Sequence, residues 1–273
     1  MHKISLLCKK EINMPQRKER FTASRRKKIL ERIQESGEVQ ITGLSKEFAV
    51  SEVTIRNDLE YLEQKKLLIR ARGGAIHSEN HLGIDQRLSE KNKLHIKEKA
   101  AIGKKAASLI QDGETIIIDS GSTTAEIAKN LGAIRQLNVI TNALNIVNQL
   151  MSYTNINVII PGGYLRPDSI SLVGPLAENN LLGFYVDKVF LSTDGFDTDH
   201  GIYTPNFDEA HLNIKMISIA KEVILVTDSS KFKRKSLAFI CTIDKIKTVI
   251  TDEGIPADDK IKLEAAGVKV IIA

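Results

Sequence analysis

Seven short apolar runs, rich in β-branched residues, constrain this chain more than any other feature: Thr115–Ile118, Val139-Ile140, Val158–Ile160, Val186–Leu191, Val223–Val226, Thr248–Ile250 and Val268–Ile272. Most are separated by helix-like segments. That rhythm predicts an α/β domain whose mainly parallel sheet is buried on both faces.

In open parallel sheets, ligands collect outside the carboxyl ends of the strands. The residues that follow the runs are small and polar. Asp119, Ser120, Gly121, Ser122, Thr123 and Thr124 follow the first run and lead into a helix. Hydroxyls, a glycine and free backbone N–H groups at a positive helix end suit an anion such as phosphate. The loop is neither a Walker loop nor a GxGxxG fingerprint. Asn142 follows the second run; Gly162 and Gly163 follow the third, with Arg166 able to clamp an anion. Asp194 follows the fourth and Asp228-Ser229-Ser230-Lys231 the fifth. Singly, each is an ordinary cap, turn or solvated charge. Together at one sheet edge they predict one convergent polar site.

Upstream, Ile29, Leu30 and Ile33 recur at helical spacing, and the helix should end near Ser36-Gly37. Val39–Ile41 reads as a short extended piece and Thr42 as the N-cap of a second helix carrying Leu44 and Phe48. After the turn Ala49-Val50, Ser51 should cap a third helix carrying Val53, Ile55, Leu59 and Leu62. Leu67–Ile69 and Ala75-Ile76 flank a turn, Arg70–Gly74, giving a hairpin with an arginine-bearing tip.

Helix, helix-turn-helix and hairpin together spell a winged helix-turn-helix. Its second paired helix enters the major groove and its wing reaches the backbone or minor groove. Ser51, Glu52, Thr54, Arg56 and Asn57 are the groove-facing candidates. Arg suits guanine O6/N7 and Asn suits adenine N6/N7, whereas Arg70 and Arg72 suit phosphate. The competing reading of Arg56 is a solvated helix surface with an i,i+4 pair to Glu60.

Charge follows the same division. Residues 1–78 hold 17 Lys+Arg against 10 Asp+Glu, net +7; the remaining 22 against 24 give net −2. Such asymmetry is the footprint of a nucleic-acid-binding module joined to a domain that reads something else. With 273 residues, 42% apolar and 27% charged, the chain is a globular one of two domains rather than a disordered or fibrous one. The expected division is a flexible basic tail at 1–23, a DNA-binding domain at 24–78, a linker at 79–93 and an α/β domain at 94–273. Met14, directly before Pro15, is a second candidate for the first translated residue.

Cys8 and Cys241 form no CxxC pair, which excludes a disulfide framework and a four-ligand zinc site and fits a reducing, cytoplasmic location. The run Ile4–Leu7 is too short for a signal peptide, and no stretch approaches a membrane span. His77 and His81 lack a third metal ligand, and no Ser-His-Asp ordering supports nucleophilic catalysis. No metal or cofactor is expected.

Several spaced stretches closely resemble the DeoR family of bacterial sugar-metabolism repressors. In the first half they are Val50–Leu59, Leu62-Glu63 and Arg70–Ala75; in the second, Asp119–Thr124, Thr141-Asn142, Gly162-Gly163, Asp194-Gly195, Asn206 with Glu209-Ala210, and Asp228–Phe232. Asn57 and Arg72 depart from the commonest residues at their positions. Within the family, the branch of repressors of N-acetylgalactosamine and galactosamine utilisation is the most similar.

The resemblance implies a winged helix-turn-helix followed by a Rossmann-like sensor domain, similar in fold to ribose-5-phosphate isomerase and glucosamine-6-phosphate deaminase. It implies a phosphorylated sugar, or amino-sugar phosphate, as effector and operator DNA as partner. The expected protein is a homo-oligomeric repressor, not an enzyme, with Ser120, Gly121, Ser122, Thr123 and Lys231 on phosphate and Asp119, Asn142, Asp194 and Glu209 on sugar hydroxyls. The alternatives are a sugar-phosphate isomerase or deaminase with Asp194 or Glu209 as base, or a DNA-binding head on a mere assembly platform.

Overall fold

A computed structural model describes residues 14–36, 38–65, 67–71, 73–77 and 85–273. The chain divides into two compact units between His81 and Leu82.

The N-terminal unit runs α1 (Met14–Ser36), β1 (Glu38–Gln40), α2 (Ile41–Glu47), α3 (Glu52–Gln64), β2 (Leu68–Ala71) and β3 (Gly74–His77). Its antiparallel sheet has the order β1-β3-β2. Ile29 and Ile33 of α1 close a core with Ile41, Leu44, Ile55, Leu59, Leu62, Leu68 and Ala75. Each such isoleucine or leucine contributes roughly 1.5–3 kcal/mol relative to exposure. Gly74 sits where β1 crosses close: a Cβ there would lie 2.0 Å from the Val39 carbonyl oxygen.

Three sequence expectations change here. α1 starts at Met14 rather than Ser24, because Pro15 fits a first helical turn and Gln16–Arg20 are good helix formers, so 14–23 is not a tail. Residues 1–13 lie outside the described residues. α2 starts at Ile41 with Gln40 as its N-cap, not Thr42. Ladder pairing in β2 and β3 extends through Ala71 and Gly74, which puts Arg70 inside a strand instead of at a tip.

The C-terminal unit continues with α4 (Leu88–Lys91), α5 (Ile96–Ala107), β4 (Thr115–Ile118), α6 (Thr124–Ala128), β5 (Leu137–Ile140), α7 (Leu144–Leu150) and β6 (Ile156–Ile159). The hairpin strands β7 (Tyr164–Arg166) and β8 (Ser171–Val173) precede α8 (Pro175–Leu181) and β9 (Val186–Leu191). Then come β10 (Gly195–Asp197), β11 (Gly201–Thr204), α9 (Phe207–Ser218), β12 (Ala220–Val226), β13 (Ala238–Cys241), β14 (Thr248–Thr251), α10 (Ala257–Ala265) and β15 (Lys269–Ile272).

All seven runs singled out in the sequence are strands of one parallel sheet, ordered β15-β14-β12-β9-β4-β5-β6. Successive side chains of a strand point to opposite faces, and both faces here are apolar. Ile116, Ile118, Phe190, Ile224 and Ile250 pack with Ile102, Ile127 and Ile146 of α5, α6 and α7. Ile117, Leu191, Leu225 and Val249 pack with Leu181, Met216 and Leu263 of α8, α9 and α10. Two smaller antiparallel sheets, β7-β8 and β10-β11-β13, complete the unit.

The sheet grows one way from β4 through β5 to β6 and the other way from β9 to β15, so the order reverses between β4 and β9. Loops leave that point in opposite directions and open a crevice at the carboxyl ends. The expected linker is ordered where it is described: α4 lies within it, and Leu88 donates its N–H to the Asp168 carbonyl at 2.7 Å. Residues 78–84 lie outside the described residues.

Candidate ligand site and nucleic-acid interface

The crevice at the β4/β9 reversal is lined from six directions, one of them Ser169 in the turn between β7 and β8. The loop after β4 supplies Asp119, Ser120, Gly121, Ser122 and Thr123; the loop after β9 supplies Ser192, Thr193 and Asp194. Thr227, Asp228 and Lys231 follow β12, Thr204, Glu209 and Asn213 come from β11 and α9, and Gln86, Leu88 and Lys91 come from the expected linker. Eight of the predicted residues thus meet: Asp119, Ser120, Gly121, Ser122, Thr123, Asp194, Glu209 and Lys231.

The loop after β4 is held tightly. A Cβ at Gly121 would lie 2.5 Å from Ser192 Oγ, and Ser192 Oγ donates to the Ser120 carbonyl at 2.7 Å. Among the described residues, the N–H groups of Gly121, Ser122 and Thr123 donate to no backbone carbonyl. They are therefore open to an anion.

Lys91 Nζ donates to Asp194 Oδ1 at 2.6 Å, and Lys231 Nζ lies 4.0 Å from the same oxygen. Burial alone would raise the Asp194 pKa, but the two ammonium groups more than offset it and hold the carboxyl below its ordinary range. Burial likewise opposes the charge on Lys91, yet Asp194 holds its pKa above the ordinary value. Behind them Lys99, only 5% exposed, donates Nζ to the Lys91 carbonyl at 2.6 Å, and burial lowers its pKa.

Asp119 has the opposite environment. Burial first, and the Glu209 charge second, push its pKa up to about 7, although Ser192 N–H donates to it at 3.3 Å. Near neutrality it is thus shared between acid and carboxylate. Protonated, it donates a hydrogen bond and does not repel an anion.

Arg166 is committed elsewhere. Its Nη1 donates to Glu209 Oε1 at 2.5 Å and to Ser169 Oγ at 3.0 Å, and its other terminal nitrogen pairs with Asp85. It therefore positions Glu209 and the segment entering α4 rather than lining the crevice. Thr124 is fully buried, with Oγ1 donating to the Gly121 carbonyl at 3.1 Å. Asn142 donates Nδ2 to the Leu172 carbonyl at 3.2 Å. Gly162 and Gly163 follow β6 at the sheet's far edge, where a Cβ on Gly163 would lie 2.4 Å from the Val173 carbonyl oxygen. Asn142, Gly162 and Gly163 thus shape the ends of β5 and β6 and the hairpin, and are not among the residues that line the crevice.

Sequence reasoning missed Gln86, Lys91, Ser192, Thr193, Thr204 and Asn213. Ser192 and Thr193 stand directly after a predicted strand, so the carboxyl-end rule could have found them. Lys91 carried no such signal.

In the N-terminal unit, Ser51 caps α3: its Oγ accepts from Thr54 N–H at 3.2 Å and shares a hydrogen bond with Thr54 Oγ1 at 2.9 Å. Arg56 Nη2 donates to Glu52 Oε2 at 2.8 Å, so its i,i+4 partner is Glu52 rather than Glu60. Arg70 Nη1 donates to the Arg56 carbonyl at 3.1 Å, which ties β2 to the middle of α3. Asn57 is exposed, and Arg72 and His81 lie outside the described residues. Asp58 is buried under Arg25 Nε at 2.5 Å and Arg26 Nε at 2.8 Å, while the Arg26 guanidinium lies 3.7 Å from the Tyr61 ring centroid. Val53 is 60% exposed.

No helix among the described residues is long and apolar enough to cross a membrane, and no cluster of three or more His, Cys, Asp or Glu side chains there could hold a metal ion.

The two units are those of a DNA-binding regulator joined to a sensor domain. The DeoR-like helix-turn-helix domain matches residues 25–81 and the DeoR C-terminal sensor domain matches residues 94–253. The chain belongs to the DeoR family of transcriptional regulators. It is 40% identical over 252 residues, 92% of this chain and 94% of the other, to a candidate aga operon transcriptional repressor of Escherichia coli O157:H7. It is 33% identical to the regulator GlpR of Haloferax volcanii, over 91% of this chain and 97% of the other. It is 36% identical to the repressor GlcR of Bacillus subtilis, over 74% and 78%. These relatives are named as regulators, not enzymes. Ribose 5-phosphate isomerase A of Methanocaldococcus jannaschii is 20% identical over 49% of this chain and 53% of its own, with a TM-score of 0.36. At that level the likeness says nothing of activity.

Proposed function

We propose that the protein represses a sugar or amino-sugar catabolic operon from the cytoplasm, and that a phosphorylated sugar in the β4/β9 crevice alters its affinity for operator DNA. The observation that carries this reading is the pairing of open N–H groups at Gly121, Ser122 and Thr123 with the Lys91–Asp194–Lys231 cluster in one crevice. The phosphate takes the loop N–H groups, the Ser120 and Ser122 hydroxyls and Lys231. Asp119, Asp194 and Glu209 take the sugar's hydroxyls or amine.

On DNA, Arg56 and Asn57 read base edges and Arg70 steadies α3. A homo-oligomer presents two such helices about 34 Å apart, which matches a palindromic operator. A thermal-shift screen against hexose, pentose and amino-sugar phosphates tests the sensor. A selective ligand at about 100 times its Kd adds roughly 2.7 kcal/mol of stability. Adding that ligand to a DNA-binding titration should then move the operator affinity. A ligand that binds without changing DNA affinity refutes the coupling, and the absence of any shift with every sugar phosphate refutes the sensor site.

A further inference from the structure

Helix α3 buries Ile55, Asp58, Leu59 and Leu62 against its own unit. Val53, Arg56, Asn57 and Glu60 stand at i, i+3, i+4 and i+7, so they share one stripe, and all four are exposed. A lone exposed apolar residue is ordinary. This one is different in its neighbours: it stands in the first turn of the helix, one turn before an arginine and an asparagine whose donors match purine edges. Its β-branched side chain has one strongly preferred rotamer in a helix, so it presents a stiff apolar knob. The Ser51 cap and the bond from Arg70 to the Arg56 carbonyl fix the helix that carries it.

We propose that Val53 is a specificity residue, packing its methyl groups on the C5-methyl of a thymine in the major groove. This rests on the DNA-binding reading above. Thymine alone presents an apolar group on that groove edge. Over a cytosine or adenine, the same valine would cover an amino group without offering it an acceptor, and an unsatisfied donor is costly. Val53 therefore both attracts thymine and rejects the amino-bearing bases at one position.

The test uses the full chain and the duplex it enriches most strongly from a randomised pool. Each thymine of that duplex is replaced in turn by deoxyuridine, which removes the methyl and leaves base pairing unchanged, and affinity is read by fluorescence anisotropy at one fixed salt concentration. One thymine, with its symmetry mate where the duplex is palindromic, should lose about fourfold in affinity, the equivalent of one buried methylene. Val53→Ala should bind the parent duplex more weakly and be indifferent to that deoxyuridine, while Val53→Thr, which keeps one methyl, should fall between. The thermal midpoint of Val53→Ala should match the parent protein; a lower one assigns the side chain to the fold and overturns the proposal. Wild-type sensitivity to deoxyuridine in Val53→Ala, or no methyl-sensitive thymine at all, also overturns it. Enrichment of no duplex would instead remove the DNA-binding reading, and this inference with it.

Discussion

Replacing Asp119 with asparagine should change how the stability of the protein depends on pH. Burial and Glu209 hold the Asp119 pKa at about 7 in the folded chain. An unfolded aspartate titrates near 3.9, so between roughly pH 4 and 7 the folded state binds one more proton than the unfolded state. The sign follows: this group makes stability fall as pH rises through that window, by up to about 1.4 kcal/mol per pH unit. The amide cannot ionise and resembles the protonated acid, so Asp119→Asn escapes the loss. Its advantage over the parent chain should grow by about 2–3 kcal/mol from pH 5 to pH 8. Urea unfolding followed by circular dichroism at both pH values measures it, with each curve analysed for coincident transitions because the chain has two units. A stability difference that stays constant across the two pH values would refute the reasoning, whatever its size.

Other perturbations separate reading from sensing. Arg56→Ala should cost about 1–3 kcal/mol on the best operator and relax base preference, whereas Arg70→Ala should weaken all sequences more evenly, both read by anisotropy at several salt concentrations. Lys231→Ala should reduce or abolish the thermal shift given by the ligand while leaving operator affinity unchanged; loss of both would give Lys231 a structural role. Gly74→Ala should unfold or severely destabilise the N-terminal unit, because the added methyl meets the Val39 backbone, whereas Gly43→Ala, with open space around it, should be mild; melting curves distinguish them. Asp58→Ala should cost about 2–4 kcal/mol by leaving two arginines of α1 without their shared carboxylate, a loss visible in thermal denaturation.

The parallel sheet was legible in the sequence because a strand buried on both faces carries apolar residues in succession, as Ile116–Ile118 and Val189–Leu191 do, with no polar face there to offer water. The loops after β4, β9 and β12 were legible for the same reason, since strand ends locate the site. What the strand pattern lacks is strand order. Asn142, Gly162 and Gly163 follow strands as faithfully as Asp194 does, but they follow β5 and β6, beyond β4, and do not line the crevice. Contacts made across long sequence separations were hidden as well: Glu209 faces Arg166 and Arg166 faces Asp85, with no local spacing to announce either. The exposure of Val53 was hidden for a simpler reason. Helical periodicity marks a valine as apolar without saying whether the protein or something else will cover it.

The participation of Asp85, Gln86, Leu88 and Lys91 in the C-terminal unit bears on where this chain can be cut. The sensor-domain match begins at residue 94, and a fragment trimmed to that point would look complete, with the whole seven-stranded sheet and the loop at Gly121 intact. It would nevertheless lack the 2.6 Å partner of Asp194 and the carboxylate that shares Arg166 with Glu209. Such a fragment would carry an altered charge balance in its crevice and a misleadingly weak response to any ligand. One beginning at Leu82 keeps both ion pairs. The candidate ligand crevice of this family member therefore extends past the edge of its recognisable sensor domain.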